Sequence, residues 1–249
     1  MRILCGVKRV PITGGKMVLT EDAQAIQTRH LGFTISPHEE CGVEEAVRIV
    51  EAQGGEVVVL ALGPAEAEEQ LRECMALGAD RAIHLLTEEE WDAQATAQAI
   101  VEAVSAEEPF DLIVFGNESA DAGNYQVGIR VAYALGLPVV TGLKKLTVEN
   151  GRARAEQEVA SGRDVYDVPL PAVVTVKEGL NLPRYPSVPA KLRANRKPVD
   201  TKPVDRPASK LEKLRLVVPE GQGKQAEVLG HGPDAAAAVV EVLKKLGVA

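Results

Sequence analysis

Aromatic rings are scarce in this chain, at 3% of its residues, and positive charge is not in excess: 28 Lys and Arg stand against 36 Asp and Glu, for a formal net charge of -8. Nucleic-acid binding in general needs phosphate-neutralising basic surface and rings for stacking, so both shortages argue against it. Long apolar runs are missing as well. No stretch approaches the roughly 18 residues of a membrane span, so no membrane insertion is expected. The opening MRILCGVKRV reads as a buried strand rather than a secretion signal, so the mature chain is expected to start there, in a cytoplasmic setting. Cysteine is limited to Cys5, Cys41 and Cys74, an odd number without a CxxC pair. That speaks against a disulfide framework or a zinc site and for three small buried apolar side chains.

A catalytic constellation is also lacking. His30, His38, His84 and His231 are scattered, and no nucleophile elbow, HExxH or calcium-loop pattern occurs. His84 falls inside a strand run and reads as structural. His38 opens a helix after Ser36-Pro37, where a capping role and a ligand contact both fit. Glu44-Glu45 and Glu88, Glu89 and Glu90 read as solvated helix faces. A carrier or binding subunit fits this inventory better than a self-sufficient enzyme.

What is present is a chain of 249 residues, 45% apolar, enough for one large α/β domain or one domain with an appendage. The runs RILCGV (2–7), EVVVLAL (56–62), RAIHLL (81–86) and DLIVFG (111–116) alternate with helical patterns at 39–55, 63–79, 92–109 and 124–138. Unbroken Val/Ile/Leu runs fit strands covered on both faces, so the expectation is a parallel sheet with helices on each side. Beyond Pro138, KKLTVENGRARAEQEV (144–159) reads as a hairpin insertion about Asn150-Gly151, and LPAVVTV (170–176) as a further buried strand. Residues 198–212 are rich in Pro and charge, either an extended arm or a mere linker. LRLVV (214–218) and PDAAAAVVEVLKKLG (233–247) predict a last strand and an amphipathic helix, packed back on the domain or on a partner. The expected division is therefore 1–197 and 198–249.

In doubly wound sheets ligands sit where the loops leave the carboxyl ends of the strands. Those loops are 8–15, Gly63-Pro64 and GNESADAGNYQVG (116–128). The last follows a buried strand, holds Gly116, Gly123 and Gly128, and runs into a helix, so its backbone N–H groups suit a phosphate. A plain βα loop capped by Asp121 or Asn124 fits the segment equally well. LNLPRYPSVPAKLRANRKP (180–198) carries three prolines in seven positions, an apolar Val188 between two of them, and then basic residues without an acid. It reads as a stiffened docking element or as a surface turn before a short helix with Leu192 inward.

These segments together resemble the β (small) subunit of electron transfer flavoprotein. The resemblance is carried by VKRV (7–10), SPHEECGVEEAVR (36–48), ALGADRAIHL (76–85), the 116–128 loop, EQEVASGRD (156–164) and above all 170–198. It implies an adenine-nucleotide-binding (Rossmann-like) fold, a structural AMP, and an FAD held mainly by a large α subunit. It implies electrons taken from acyl-CoA dehydrogenases or similar flavoenzymes and passed to a quinone reductase, with no catalysis by this chain alone. Positions matching the AMP contacts are Gly6, Ser36, Pro37, His38, Glu39, Leu62, Gly116, Asp121, Gly123, Asn124, Tyr125, Gln126 and Val127. Ser36 replaces the usual Asn, and Val127 replaces a hydroxyl residue, leaving only backbone N–H there. Gln126-Val127-Gly128 looks like electron-bifurcating relatives, which hold a second FAD in place of AMP. Those relatives carry a DGDT-like run where this chain has Asp121-Ala122-Gly123-Asn124, which favours AMP. Val188 matches an apolar partner anchor, flanked by Arg184, Tyr185, Pro189 and Leu192, with Arg184, Lys191, Arg193, Arg196 and Lys197 to steer a partner or meet the large subunit. Glu158 matches an acidic position that helps place the mobile flavin domain. The alternative is a stand-alone nucleotide module of the universal-stress or ATP-pyrophosphatase kind, which would need neither the 170–198 block nor the arm.

Overall fold

The unbroken apolar runs become strands whose alternate residues enter two separate cores. The computed structural model describes residues 1–12, 14, 17–208, 211–218 and 226–248. Thr13 and Gly15 of the first loop and Ser209 and Lys210 of the arm lie outside the described residues. In chain order the elements are β1 (Arg2–Val7), β2 (Val10–Pro11), β3 (Phe33–Thr34), α1 (Pro37–Gln53), β4 (Glu56–Gly63), α2 (Ala67–Leu77), β5 (Arg81–Leu86), α3 (Ala93–Ser105) and β6 (Leu112–Gly116). There follow α4 (Val127–Leu135), β7 (Val139–Glu149), β8 (Arg152–Val159), β9 (Gly162–Pro169), β10 (Ala172–Val176), α5 (Val188–Ala194), β11 (Val199–Pro203) and α6 (Ala236–Lys245). Among the described residues, nine strands form one sheet in the order β11-β5-β4-β1-β6-β10-β7-β8-β9. The run from β11 to β7 is parallel, and β8 and β9 are antiparallel additions. β2 and β3 make a small separate ladder.

Period-two alternation divides the cores. Ile3, Cys5, Val57, Val59, Leu112 and Val114 face α1 and α2, meeting Val43, Val47, Leu71 and Met75. Leu4, Val58, Leu60, Ile113 and Phe115 face α3 and α4, meeting Ile100, Val104, Val131 and Ala132. Each Val, Leu, Ile, Phe or Met side chain among them, buried in full, contributes roughly 1.5–3 kcal/mol. Cys5, Cys41 and Cys74 are all free and buried, in keeping with their reading as small apolar residues. The chain leaves β1 toward β4 on one side and later enters β6 on the other, so the order reverses between β1 and β6.

Several elements depart from expectation. β7 starts at Val139, ahead of the expected hairpin, because Val139 and Val140 pair with β10. The turn forms at Asn150-Gly151, both with positive φ (51° and 72°), as a two-residue hairpin requires. β9 was not signalled: its alternating charges leave both faces exposed, so no apolar period marked it. Residues 199–203, expected in the arm, form β11 and pair with β5 at the sheet edge, where the missing N–H of Pro203 is tolerated. The strand expected at 214–218 is absent, and its apolar side chains Leu214, Val217 and Val218 are exposed. Its backbone is instead held by the 20–26 loop: Leu216 N–H donates to the Ala23 carbonyl (2.7 Å) and Gln24 Nε2 to the Leu214 carbonyl (2.7 Å). α6 forms as expected, yet none of its residues is buried. No helix among the described residues is long and apolar enough to cross a membrane.

Candidate functional site

The reversal of strand order opens a crevice at the carboxyl ends of β1 and β6, the place where doubly wound sheets bind ligands. A cavity of about 340 Å³ lies there, lined by Gly6 and Val7 of β1, Leu60 and Leu62 of β4, Phe115 and Gly116 of β6 and Thr175 of β10. Lys8, Arg9, Asn117, Glu118, Asp121 and Asn124 line its loops, and Tyr125 and Gln126 lead into Val127 and Gly128 of the first turn of α4. Two glycines make the approach possible. A Cβ on Gly6 would fall 2.2 Å from the Phe115 ring, and one on Gly128 would fall 2.8 Å from Thr175 Cγ2.

Hydrogen bonds hold the 116–126 loop over the strand ends. Ser36 Oγ accepts the Ala120 N–H (2.8 Å), Thr175 Oγ1 donates to Asn117 Oδ1 (2.9 Å), and the same Thr175 oxygen accepts the Gly142 N–H (2.9 Å). Lys8 Nζ lies 2.5 Å from Asp121 Oδ2. Burial opposes ionisation of Asp121, but the Lys8 ammonium together with hydrogen bonds from Ser119 and the Ala122 N–H outweighs it and holds the carboxyl below its ordinary range. Glu39 is only 7% exposed, and its Oε2 accepts the backbone N–H groups of Lys8 and Ser36, each at 3.1 Å. Burial nonetheless raises its pKa from 4.5 to about 8. Gln126, at the start of α4, makes no side-chain cap to the first-turn N–H groups, which are donors of the kind that suit an anion.

Of the residues matched to a nucleotide site, Gly6, Glu39, Leu62, Gly116, Asp121, Asn124, Tyr125, Gln126 and Val127 line this cavity. Ser36, Pro37, His38 and Gly123 are not among its lining residues. Ser36 is fully buried and its hydroxyl is engaged with Ala120. His38 Nδ1 accepts the Glu178 N–H (3.4 Å), and Gly123 N–H closes a turn to the Ser119 carbonyl (3.0 Å). Lys8 and Arg9 were not singled out as site residues, although a basic pair directly after a strand at the switch point is the signal for them. Arg9 lies over the Phe33 ring, 3.4 Å from its centroid. His84 is buried with Nε2 3.2 Å from the Gly63 carbonyl, a structural role as read.

The 180–198 segment lies elsewhere on the surface. Tyr185, Val188 and Leu192 are 99%, 72% and 64% exposed, so Leu192 does not turn inward; Ala194 is the buried residue of α5. Pro189 is exposed beside Val188. Four expectations need correction. Glu88, Glu89 and Glu90 stand on no helix; they line the cavity. Glu44 is not on a solvated face: it is 1% exposed. Arg184 is not a free steering cation, because its guanidinium is taken up by Glu44 and Glu51. Lys197 is likewise turned in, donating to the carbonyls of Met75 (3.0 Å) and Ala79 (2.6 Å) at the end of α2. Glu158 is exposed on β8, with Arg163 3.8 Å away.

A doubly wound α/β sheet with a ligand-sized cavity at its switch point defines a Rossmann-like binding protein. The sequence profile described as electron transfer flavoprotein domain matches residues 25–207. The chain is 33% identical over 207 residues to electron transfer flavoprotein subunit beta of Bacillus subtilis, covering 82% of this chain and 80% of that one. It is 34% identical to the protein of that name in Bradyrhizobium diazoefficiens (89% and 91% covered), and 34% identical to the mitochondrial one of Arabidopsis thaliana (80% of each). The chain belongs to the electron transfer flavoprotein family, and its coarse role is that of an electron-transfer subunit.

Proposed function

We propose that this chain is the small subunit of a heterodimeric electron transfer flavoprotein whose switch-point cavity holds a structural AMP. The observation that carries the reading is the cavity itself. Its volume of about 340 Å³ sits at the low end of small-molecule sites, about 300–1,000 Å³, and suits a mononucleotide better than a dinucleotide. Its donor set also fits: the uncapped first turn of α4 and Lys8 favour phosphate, while Leu60, Leu62 and Val127 offer apolar surface to a base. Val127 contributes no hydroxyl, so backbone N–H groups carry the phosphate contact there.

FAD, held mainly by the large subunit, supplies the electron chemistry. This chain's share is to complete its surroundings, to dock the donor flavoenzyme (an acyl-CoA dehydrogenase or a similar one) through Tyr185, Val188, Pro189 and Leu192, and to help place the mobile flavin domain through Glu158. A quinone reductase is the proposed acceptor. The heterodimer, denatured after purification, is expected to release about one AMP for each FAD. Release of about two FAD and no AMP would instead favour the second reading, a bifurcating relative, which the Gln126-Val127-Gly128 run supports.

A further inference from the structure

Residues 177–187 contain no helix or strand, yet they present the exposed Tyr185 and lead into Val188. What fixes their shape is α1. Asn181 Nδ2 donates to the Cys41 carbonyl (3.0 Å) and to Glu45 Oε2 (2.8 Å), and Arg48 Nη2 donates to the Leu182 carbonyl (2.9 Å). Arg184 makes the tightest connection. Its backbone N–H and Nε donate to Glu44 Oε2 at 3.1 and 2.9 Å, and its two terminal nitrogens meet both oxygens of Glu51 at 2.6 and 2.8 Å. Glu44 is itself buried on a helix whose Val43, Ala46 and Val47 are packed in the core. Its position therefore cannot drift without moving the core. A planar guanidinium spanning two carboxylates fixes direction as well as distance. Pro183 and Pro186 restrict the backbone on either side.

We propose that Glu44, acting through Arg184 with Glu51 as a second clamp, is a positioning residue that sets the docking segment in its partner-binding shape before a partner arrives. The inference rests on the reading of 182–192 as the surface met by the donor flavoenzyme. Held in advance, the segment loses less conformational freedom on docking, and affinity rises without any new contact.

The test uses the heterodimer with its large subunit and a flavin-dependent dehydrogenase as electron donor. Arg184→Lys keeps the charge but cannot span both carboxylates. It is expected to raise the apparent KM for the donor about tenfold with kcat within about twofold, and to speed amide exchange in residues 181–187. FAD and nucleotide content and reduction by dithionite stay at wild-type values. Glu44→Gln acts in the same direction; should it fail to assemble, Glu51→Gln, which removes an exposed carboxylate, gives a smaller rise of about threefold. Wild-type KM in Arg184→Lys and Glu51→Gln, alongside a raised KM in Val188→Ala, overturns the inference and leaves the docking reading standing. Wild-type KM in Val188→Ala as well overturns both.

Discussion

At the scale of the residue, Glu39 is the group whose chemistry the fold alters most usefully. Its carboxyl sits at the cavity where a phosphate is proposed to bind, and burial raises its pKa to about 8. Because the folded value lies above the ordinary 4.5, the fold favours the neutral form. Its contribution to stability is fully present below pH 4.5 and is lost as pH rises toward 8. The same ionisation places a negative charge beside a bound anion. Mononucleotide affinity is therefore expected to weaken about tenfold between about pH 7 and about pH 9. Glu39→Gln should flatten that dependence, as measured by calorimetric titration of the nucleotide-depleted heterodimer. An equally steep fall in Glu39→Gln assigns the titration to another group.

At the scale of the element, α5 and the segment before it are the informative case. Ser187 caps α5 through the Ala190 N–H (3.3 Å), and Pro189 falls in the first turn, where its missing N–H is harmless. Local chemistry thus starts the helix, while Ala194 and the carbonyls bonded by Arg72 and Lys197 fasten its end to α2. Tyr185, Val188 and Leu192 stay exposed, and Val188 is the proposed anchor. Val188→Ala removes about two carbons from a partner pocket, about 1–2 kcal/mol, and so raises the apparent KM for the donor by roughly tenfold. Val188→Asp should be worse, because it brings an ionised carboxylate into that pocket. Donor-dependent and dithionite-dependent flavin reduction, compared side by side, separate docking loss from redox damage.

At the scale of the whole molecule, the chain is unevenly finished. The sheet from β5 to β10 is enclosed on both faces, whereas Leu211, Leu214, Val217 and Val218 and the apolar side chains Val239, Val240, Leu243 and Leu246 stay exposed. Exposed apolar surface on this scale is normally covered by another chain. The large subunit is the proposed cover. Truncation after Pro207 keeps β11 in the sheet and so leaves the α/β core intact. It is expected to leave the core's unfolding transition in place, but to abolish stable co-purification with the large subunit. A truncated chain that still forms the heterodimer at full affinity would reduce the C-terminal region to a tail.

The sequence by itself determined the parallel sheet, its helices and the switch-point loop, because RILCGV, EVVVLAL and DLIVFG are short, β-branched apolar runs that fit strands buried on both faces. It also marked Asn150-Gly151 as a turn, since few other pairs tolerate positive φ twice. The 116–128 loop was legible for the same reason, whereas Gly6 and Leu62 were marked only by the resemblance to the family. Tertiary structure alone decided the partners of charged and polar groups. Glu44 falls on the buried face of α1 and Arg184 lies 140 positions away, so nothing local distinguished that pair from solvated charges. Likewise 199–203 became a strand only because β5 offered a free edge, while the more apolar 214–218 found none. Apolar pattern is written along the chain; which charge meets which, and which segment finds an edge, is set by what folding brings alongside.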